Sequence, residues 1–126
     1  MPGAPTVLVI DDDPVILKLL EVNFQMEGFE VVTAGDGEEG FEVARATSPA
    51  VIVSDIMMPK VDGLELVKRL KADAGTAGIP IILLSAKAQA SDVRKGVEIG
   101  ADDYVTKPFE PLELVERVNK LLSRDR

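Results

Sequence analysis

Three consecutive carboxylates, Asp11, Asp12 and Asp13, follow the apolar run "VLVI" and precede Pro14. A fourth, Asp55, follows "VIVS", and Ser85 and Lys107 stand at or just beyond the ends of two further apolar runs. Ionised carboxylates a few ångströms apart repel, so that one pKa rises or a cation binds between them. A hard divalent cation with oxygen ligands answers that repulsion. Mg²⁺ uses one or two carboxylates, keeps waters and accepts a phosphate oxygen. A hydroxyl, an ammonium and such a cation around a free carboxylate form a site for a phosphoryl group. The cations offset charge on the phosphoryl oxygens, and the carboxylate is available as the nucleophile.

Each residue alone has an ordinary explanation. Asp13 before a proline reads as the N-cap of a helix. Ser85 alone would be a helix or turn cap, and Lys107 alone a solvated surface lysine. Capping does not account for the whole set, because one helix needs one cap and Asp55 runs into the loop "IMMPKVDG". It is the agreement of four strand ends that points to a site.

The elements that must position these residues can be read from the apolar pattern. "TVLVI", "EVVTA", "AVIVSD", "PIILLS" and "DYVTK" are short, Val/Ile-rich and mostly continuous, as strands buried on both faces of a parallel sheet are. Helical periodicity lies between them. "PVILKLLEVNFQMEG" places Ile16, Leu19, Leu20 and Phe24 on one stripe and takes Gly28 as its C-cap. "DGEEGFEVARA" and "DGLELVKRLKAD" open with Asp-Gly. "SDVRKGVEIG" takes Ser91 as N-cap and Gly100 as its stop. "PLELVERVNKLL" opens at Pro111 and carries Leu114, Val115, Val118, Leu121 and Leu122 as a stripe. This alternation predicts an α/β fold with a single five-stranded parallel sheet, doubly wound, and five helices. With strand order 2-1-3-4-5, the ligand crevice lies outside the carboxyl ends of strands one and three. That brings the Asp11 cluster to Asp55.

Composition narrows the classes. The chain has 126 residues, enough for one domain (1–126, core about 6–122) that buries roughly two-thirds of its unfolded surface. It has no cysteine and no histidine, which excludes disulfides, thiolate or imidazole metal sites, a Ser-His-Asp triad and a phosphohistidine of its own. A net charge of -8 argues against direct nucleic-acid binding and against anionic membranes. No apolar run approaches the ~20 residues of a spanning helix, and "MPGAP" lacks the regions of a signal peptide. The cytoplasm is the expected compartment.

Together, "VLVIDDDP", "VIVSDIMMPKVDG", "PIILLSA" and "GADDYVTKPF" resemble the receiver domain of bacterial response regulators of two-component signalling, over about Thr6 to Leu122. The resemblance implies a flavodoxin-like fold with Asp55 as phosphoacceptor. It implies Mg²⁺ on Asp11, Asp12, Asp55 and the Met57 backbone carbonyl, with no organic cofactor. Lys107 is the matching lysine and its bond to Pro108 is expected to be cis. Ser85, with Ala86 beside it, is the switch hydroxyl, and Tyr104 the aromatic that rotates inward when Ser85 moves. The implied donor is a histidine kinase or a histidine phosphotransfer protein. The chain would modify itself and hydrolyse the adduct slowly, without turning over a released substrate. The surface that changes is formed by the fourth helix, fifth strand and fifth helix, including Lys87, Arg94, Lys95, Tyr104, Glu113 and Arg117. It would control a downstream protein target and leaves room for a phosphorylation-linked dimer. Met57, which cannot position water by hydrogen bonding, and the long Lys87 predict a long phosphoryl lifetime. These 126 residues hold no output module, and a stand-alone receiver is expected over a fragment.

Rival readings are weaker. Asp11-x-Asp13-x-Val15 fits the opening motif of haloacid-dehalogenase-like phosphatases, with Asp11 as nucleophile, but Asp102 and Asp103 precede the last strand and no cap segment selects a substrate. "GDGEEG" satisfies G-x-G-x-x-G, yet it follows the second strand and its acids would repel a pyrophosphate. A flavodoxin needs a hydroxyl-rich loop where "DDDP" stands, together with flavin-stacking aromatics. An incidental acidic crevice on an inert scaffold is the structural alternative.

Overall fold

The structure, a computed structural model, describes residues 4–58, 61–86 and 90–124. The elements alternate as β1 (Thr6–Ile10), α1 (Pro14–Met26), β2 (Glu30–Ala34), α2 (Gly37–Thr47), β3 (Val51–Asp55), α3 (Gly63–Ala72), β4 (Ile81–Ser85), α4 (Ala90–Glu98), β5 (Asp103–Thr106) and α5 (Pro111–Arg124). All strand pairings are parallel, in the order β2-β1-β3-β4-β5. The predicted topology is observed.

Alternate strand residues enter opposite layers. Leu8, Ile10, Ile52, Ile81 and Leu83 pack with Ala44 of α2 and Leu66, Val67 and Leu70 of α3. Val7, Val9, Val53, Ile82, Leu84 and Val105 pack with Leu20 and Phe24 of α1 and Leu114, Val115 and Val118 of α5. Because both faces are covered, β1, β3 and β4 can carry continuous apolar runs up to their polar ends. The edge strand β2 departs from the expected double burial: Glu30 and Thr33 are exposed, since one of its sides has no neighbouring strand.

Helix ends follow local chemistry. Asp13 caps α1 by accepting from the Val15 N–H at 2.9 Å, with Pro14 in the first turn. Asp36 and Asp62 do the same for the Glu39 and Glu65 N–H groups. Gly28 lies one residue beyond the α1 cap, Glu27, rather than at it. Its φ is +93°, and the Gly28 and Phe29 amides donate to the carbonyls of Gln25 and Phe24, a Schellman end. The rings of Phe24 and Phe29 meet edge to face at 5.4 Å and lock this turn. Gly100, φ +117°, ends α4 in the same way through the Gly100 and Ala101 amides.

Two further expectations need correction. Ser91 lies inside α4, which begins at Ala90, so it is not the N-cap. Leu19 is 41% exposed. The buried stripe of α1 runs through Leu20 and Phe24, with Ile16 and Leu17 half-buried beside it, because only this side of the helix faces the sheet. Two of the three glycines of "GDGEEG" serve packing: a Cβ at Gly37 would overlap the Val61 carbonyl, and one at Gly40 the Ile10 side chain.

Candidate functional site

β1 and β3 run abreast, with Ile10 opposite Ser54. Each is followed by a carboxylate, and so Asp11 and Asp55 emerge side by side. Both are almost fully buried, at 1% and 5% exposure, whereas Asp12 is exposed. Asp11 Oδ1 accepts the Asp13 N–H at 2.9 Å, which turns the chain into α1. Lys107 arrives from β5: its N–H donates to the Ser85 carbonyl at 2.8 Å, extending the sheet pairing past Thr106. Its Nζ lies 3.3 Å from Asp11 Oδ2 and 3.4 Å from Asp55 Oδ2. Four strand ends therefore meet. Ser85 ends β4 with its side chain fully buried, and the Lys107–Pro108 bond is cis.

Burial pushes the Asp11 carboxyl above its ordinary range; the Asp13 amide pulls it down, the Asp55 charge pushes it up, and Lys107 pulls it down. Burial likewise raises Asp55, against the lowering effects of Lys107 and of the Met57 and Ile56 amides. In both, desolvation outweighs the ammonium. One carboxylate oxygen from each of Asp11, Asp12 and Asp55 lies within 4.8 Å of the others. This all-oxygen donor set suits a hard divalent cation.

Two described residues that follow β3 are anchored to one carbonyl. The Met58 and Gly63 amides both donate to the Ile56 carbonyl, and a Cβ at Gly63 would strike the Asp55 carbonyl and the Ile56 Cα. This fixes Met57, whose side chain is 58% exposed, immediately beside Asp55. The role of Gly63 escaped sequence reasoning, although the Asp-Gly helix start was its visible signal.

Other expected residues fall elsewhere. Tyr104 is 9% exposed and belongs to the core layer beneath α4, so its ring is already inward, with Leu83 and Gly96 nearby. Arg117 donates to both carboxylate oxygens of Asp103, at 2.9 and 3.0 Å, and lies 3.6 Å from Glu113; by sequence alone these charges read as a solvated face. A cleft of ≈ 250 Å³ between α4 and α5 is lined by Val93, Tyr104, Pro108, Phe109, Glu113 and Arg117. Arg94 and Ala86 are exposed. Lys95 instead lines a cleft shared with α3. Lys87 lies outside the described residues.

A family model for the response regulator receiver domain matches residues 7–119. The chain belongs to this family. Over 120 residues the receiver domain is 45% identical to the DNA-binding dual master transcriptional regulator RpaA of Synechocystis, covering 95% of this chain and 50% of that protein. It spans about half the length of the curated relatives it matches. The receiver domain of the Francisella response regulator 1452 superimposes with a TM-score of 0.91 at 38% identity, covering 97% of this chain and 99% of that one. The receiver domain of the Pseudomonas aeruginosa sensor histidine kinase PA1611, solved with a magnesium ion coordinated in its active-site cleft, gives a TM-score of 0.88 at 26% identity, over 96% of this chain and 99% of that one. The phosphatase alternative finds no support. Asp102 accepts the amide of Ile81, the first residue of β4, at 2.9 Å. This places it at the end of the sheet away from Lys107. Among the described residues, no helix is long and apolar enough to cross a membrane.

Proposed function

We propose that Asp55 of this receiver domain accepts a phosphoryl group from the phosphohistidine of a kinase or phosphotransfer protein. The single observation that carries this is the Lys107 ammonium within 3.4 Å of two buried carboxylates on separate strands. An Asp55 oxygen attacks phosphorus, the P–N bond of the donor breaks, and the imidazole leaves with the electron pair. Lys107 then faces the new phosphoryl oxygens instead of a carboxylate. Mg²⁺ is the cation that suits Asp11, Asp12, Asp55 and the Met57 carbonyl. When bound, it supplies positive charge against the phosphoryl oxygens. Phosphorylation raises the local charge to roughly -1.5 to -2 and draws the Ser85 hydroxyl. That movement biases the surface formed by α4, β5 and α5, through which a downstream protein is controlled.

The donor's approach has a candidate surface. Val15, Leu19, Val22 and Met26 are exposed along α1, spaced by four, three and four residues, as a stripe facing a partner helix would be. The stripe begins just after Asp13, so a helix lying on it would bring its phosphohistidine to Asp55.

The reading is tested with acetyl phosphate, with and without Mg²⁺, by intact mass. One Mg²⁺-dependent adduct, absent in Asp55→Asn, is the expected result. No adduct on the native chain would refute it.

A further inference from the structure

Two methionines with very different exposure follow Asp55. Met58 is 9% exposed and packed in the core, while Met57, two residues past Asp55, is 58% exposed. The loop bonds to the Ile56 carbonyl hold Met57 in place. A soluble oxidant can therefore reach the Met57 sulfur, and the product stays beside the carboxylate. Oxidation changes what that side chain can do. A thioether is a weak hydrogen-bond acceptor and does not hold a water. A sulfoxide is polar and its oxygen accepts strongly.

We propose that Met57 is an oxidation-responsive residue whose sulfoxide shortens the life of a phosphoryl group on Asp55. This rests on Asp55 being the phosphoacceptor. In the first step the sulfur attacks a hydroperoxide: an S–O bond forms, the O–O bond breaks, sulfur is oxidised and the peroxide is reduced, hydrogen peroxide to water. A thiol-dependent sulfoxide reductase reverses it. In the second step the sulfoxide oxygen accepts a hydrogen bond from a water and orients it toward phosphorus. The water oxygen bonds to phosphorus, the bond to the Asp55 oxygen breaks, the carboxylate keeps the electron pair, and the water's proton passes to the departing phosphate. Orientation without full proton abstraction gives an acceleration of several-fold, below the roughly 10²-fold of a general base.

The receiver domain is phosphorylated with acetyl phosphate and Mg²⁺, freed of donor, and followed by intact mass with and without prior hydrogen peroxide. Peptide mapping locates the added oxygen. The exposed Met26 (76%) is the internal control. The expected result is oxidation of Met57 and Met26 ahead of Met58, with several-fold faster decay in the native chain and in Met26→Leu. Met57→Leu, compared with itself, decays equally before and after peroxide. A Met57 that stays reduced while Met26 oxidises overturns the proposal. So does an oxidised Met57 with unchanged decay, or a Met57→Leu chain that still responds. If no adduct forms before peroxide treatment, it is the assignment of Asp55 that fails, and the proposal falls with it.

Discussion

Lys107 Nζ lies 3.4 Å from Asp55 Oδ2, a contact made between non-adjacent strands with β4 between them. Lys107 Nζ also lies 3.3 Å from Asp11 Oδ2, so the ammonium already offsets the charge of two carboxylates that an incoming cation would neutralise. Charges 4 Å apart interact by about 1 kcal/mol in water and about 4 kcal/mol at an effective dielectric near 20. Lys107→Ala is therefore expected to bind Mg²⁺ about tenfold more tightly while accepting phosphoryl groups more slowly. Titration calorimetry and adduct formation measure the two effects, and weaker Mg²⁺ binding would contradict the account.

Asp55 carries a stability cost at neutral pH. Its folded-state pKa is raised, chiefly by burial, so the native state holds that proton longer than the unfolded chain does. Its contribution to stability is fully present below the ordinary carboxylate pKa and is lost as pH rises through the raised value. Asp55→Asn should therefore unfold at higher urea than the native chain at neutral pH, the gain being about 1.4 kcal/mol for every tenfold weakening of the carboxyl's acidity on folding. The gap should close in acid. A less stable mutant at neutral pH would show that the Lys107 contact outweighs desolvation.

Mg²⁺ should act in the opposite direction to that cost. A cation bound only by the folded state at a hundredfold excess over its Kd adds about 2.7 kcal/mol. Asp11 and Asp55 must both be ionised to hold it, so the thermal shift it produces should shrink as pH falls through their raised pKa values. A shift independent of pH would place the cation elsewhere.

The three consecutive aspartates divide their work. Asp13 caps α1 through the Val15 amide, and Asp13→Ala should cost about 1 kcal/mol while leaving the Mg²⁺ response in place. Asp12 is exposed and belongs to the carboxylate cluster with Asp11 and Asp55. Asp12→Ala should lose the Mg²⁺ shift with little change in urea midpoint. Exchanged outcomes would mean that the roles have been assigned to the wrong neighbours.

The α1 stripe separates protein donors from small ones. Val22→Glu, at a position 40% exposed, should change stability by no more than about 0.5 kcal/mol. It should slow transfer from a phosphohistidine protein about tenfold and leave acetyl phosphate labelling unaltered. Equal slowing with both donors would point to damage at the site itself.

The strands, the gathering of carboxylates at their ends and most helix starts were legible in the sequence because each has a local chemical signature, whereas the strand order came with the doubly wound fold class and not from any local signal. Val/Ile runs mark strands covered on both faces, and a carboxylate just past such a run marks the mouth of the sheet. Side-chain facing on α1 was not legible. Leu19 and Leu20 are both leucine, and only packing against the sheet selects Leu20. The Asp103–Arg117 pair was also hidden, because it joins an edge strand to the helix that follows it without any spacing rule. Ser91 misled because a serine before an apolar periodic run looks like a cap, whereas α4 begins one residue earlier.

β5 is an edge strand of four residues, paired on one side only with β4, and it alone delivers Lys107. Opening events in a folded protein occur in units smaller than the whole and favour poorly paired edges. Detachment of β5 would withdraw the ammonium while Asp11, Asp12 and Asp55 stay seated on β1 and β3. The result is a partly open form that still chelates but cannot complete phosphoryl transfer. Amide hydrogens of Val105 and Lys107 should then exchange with solvent well before those of Val53.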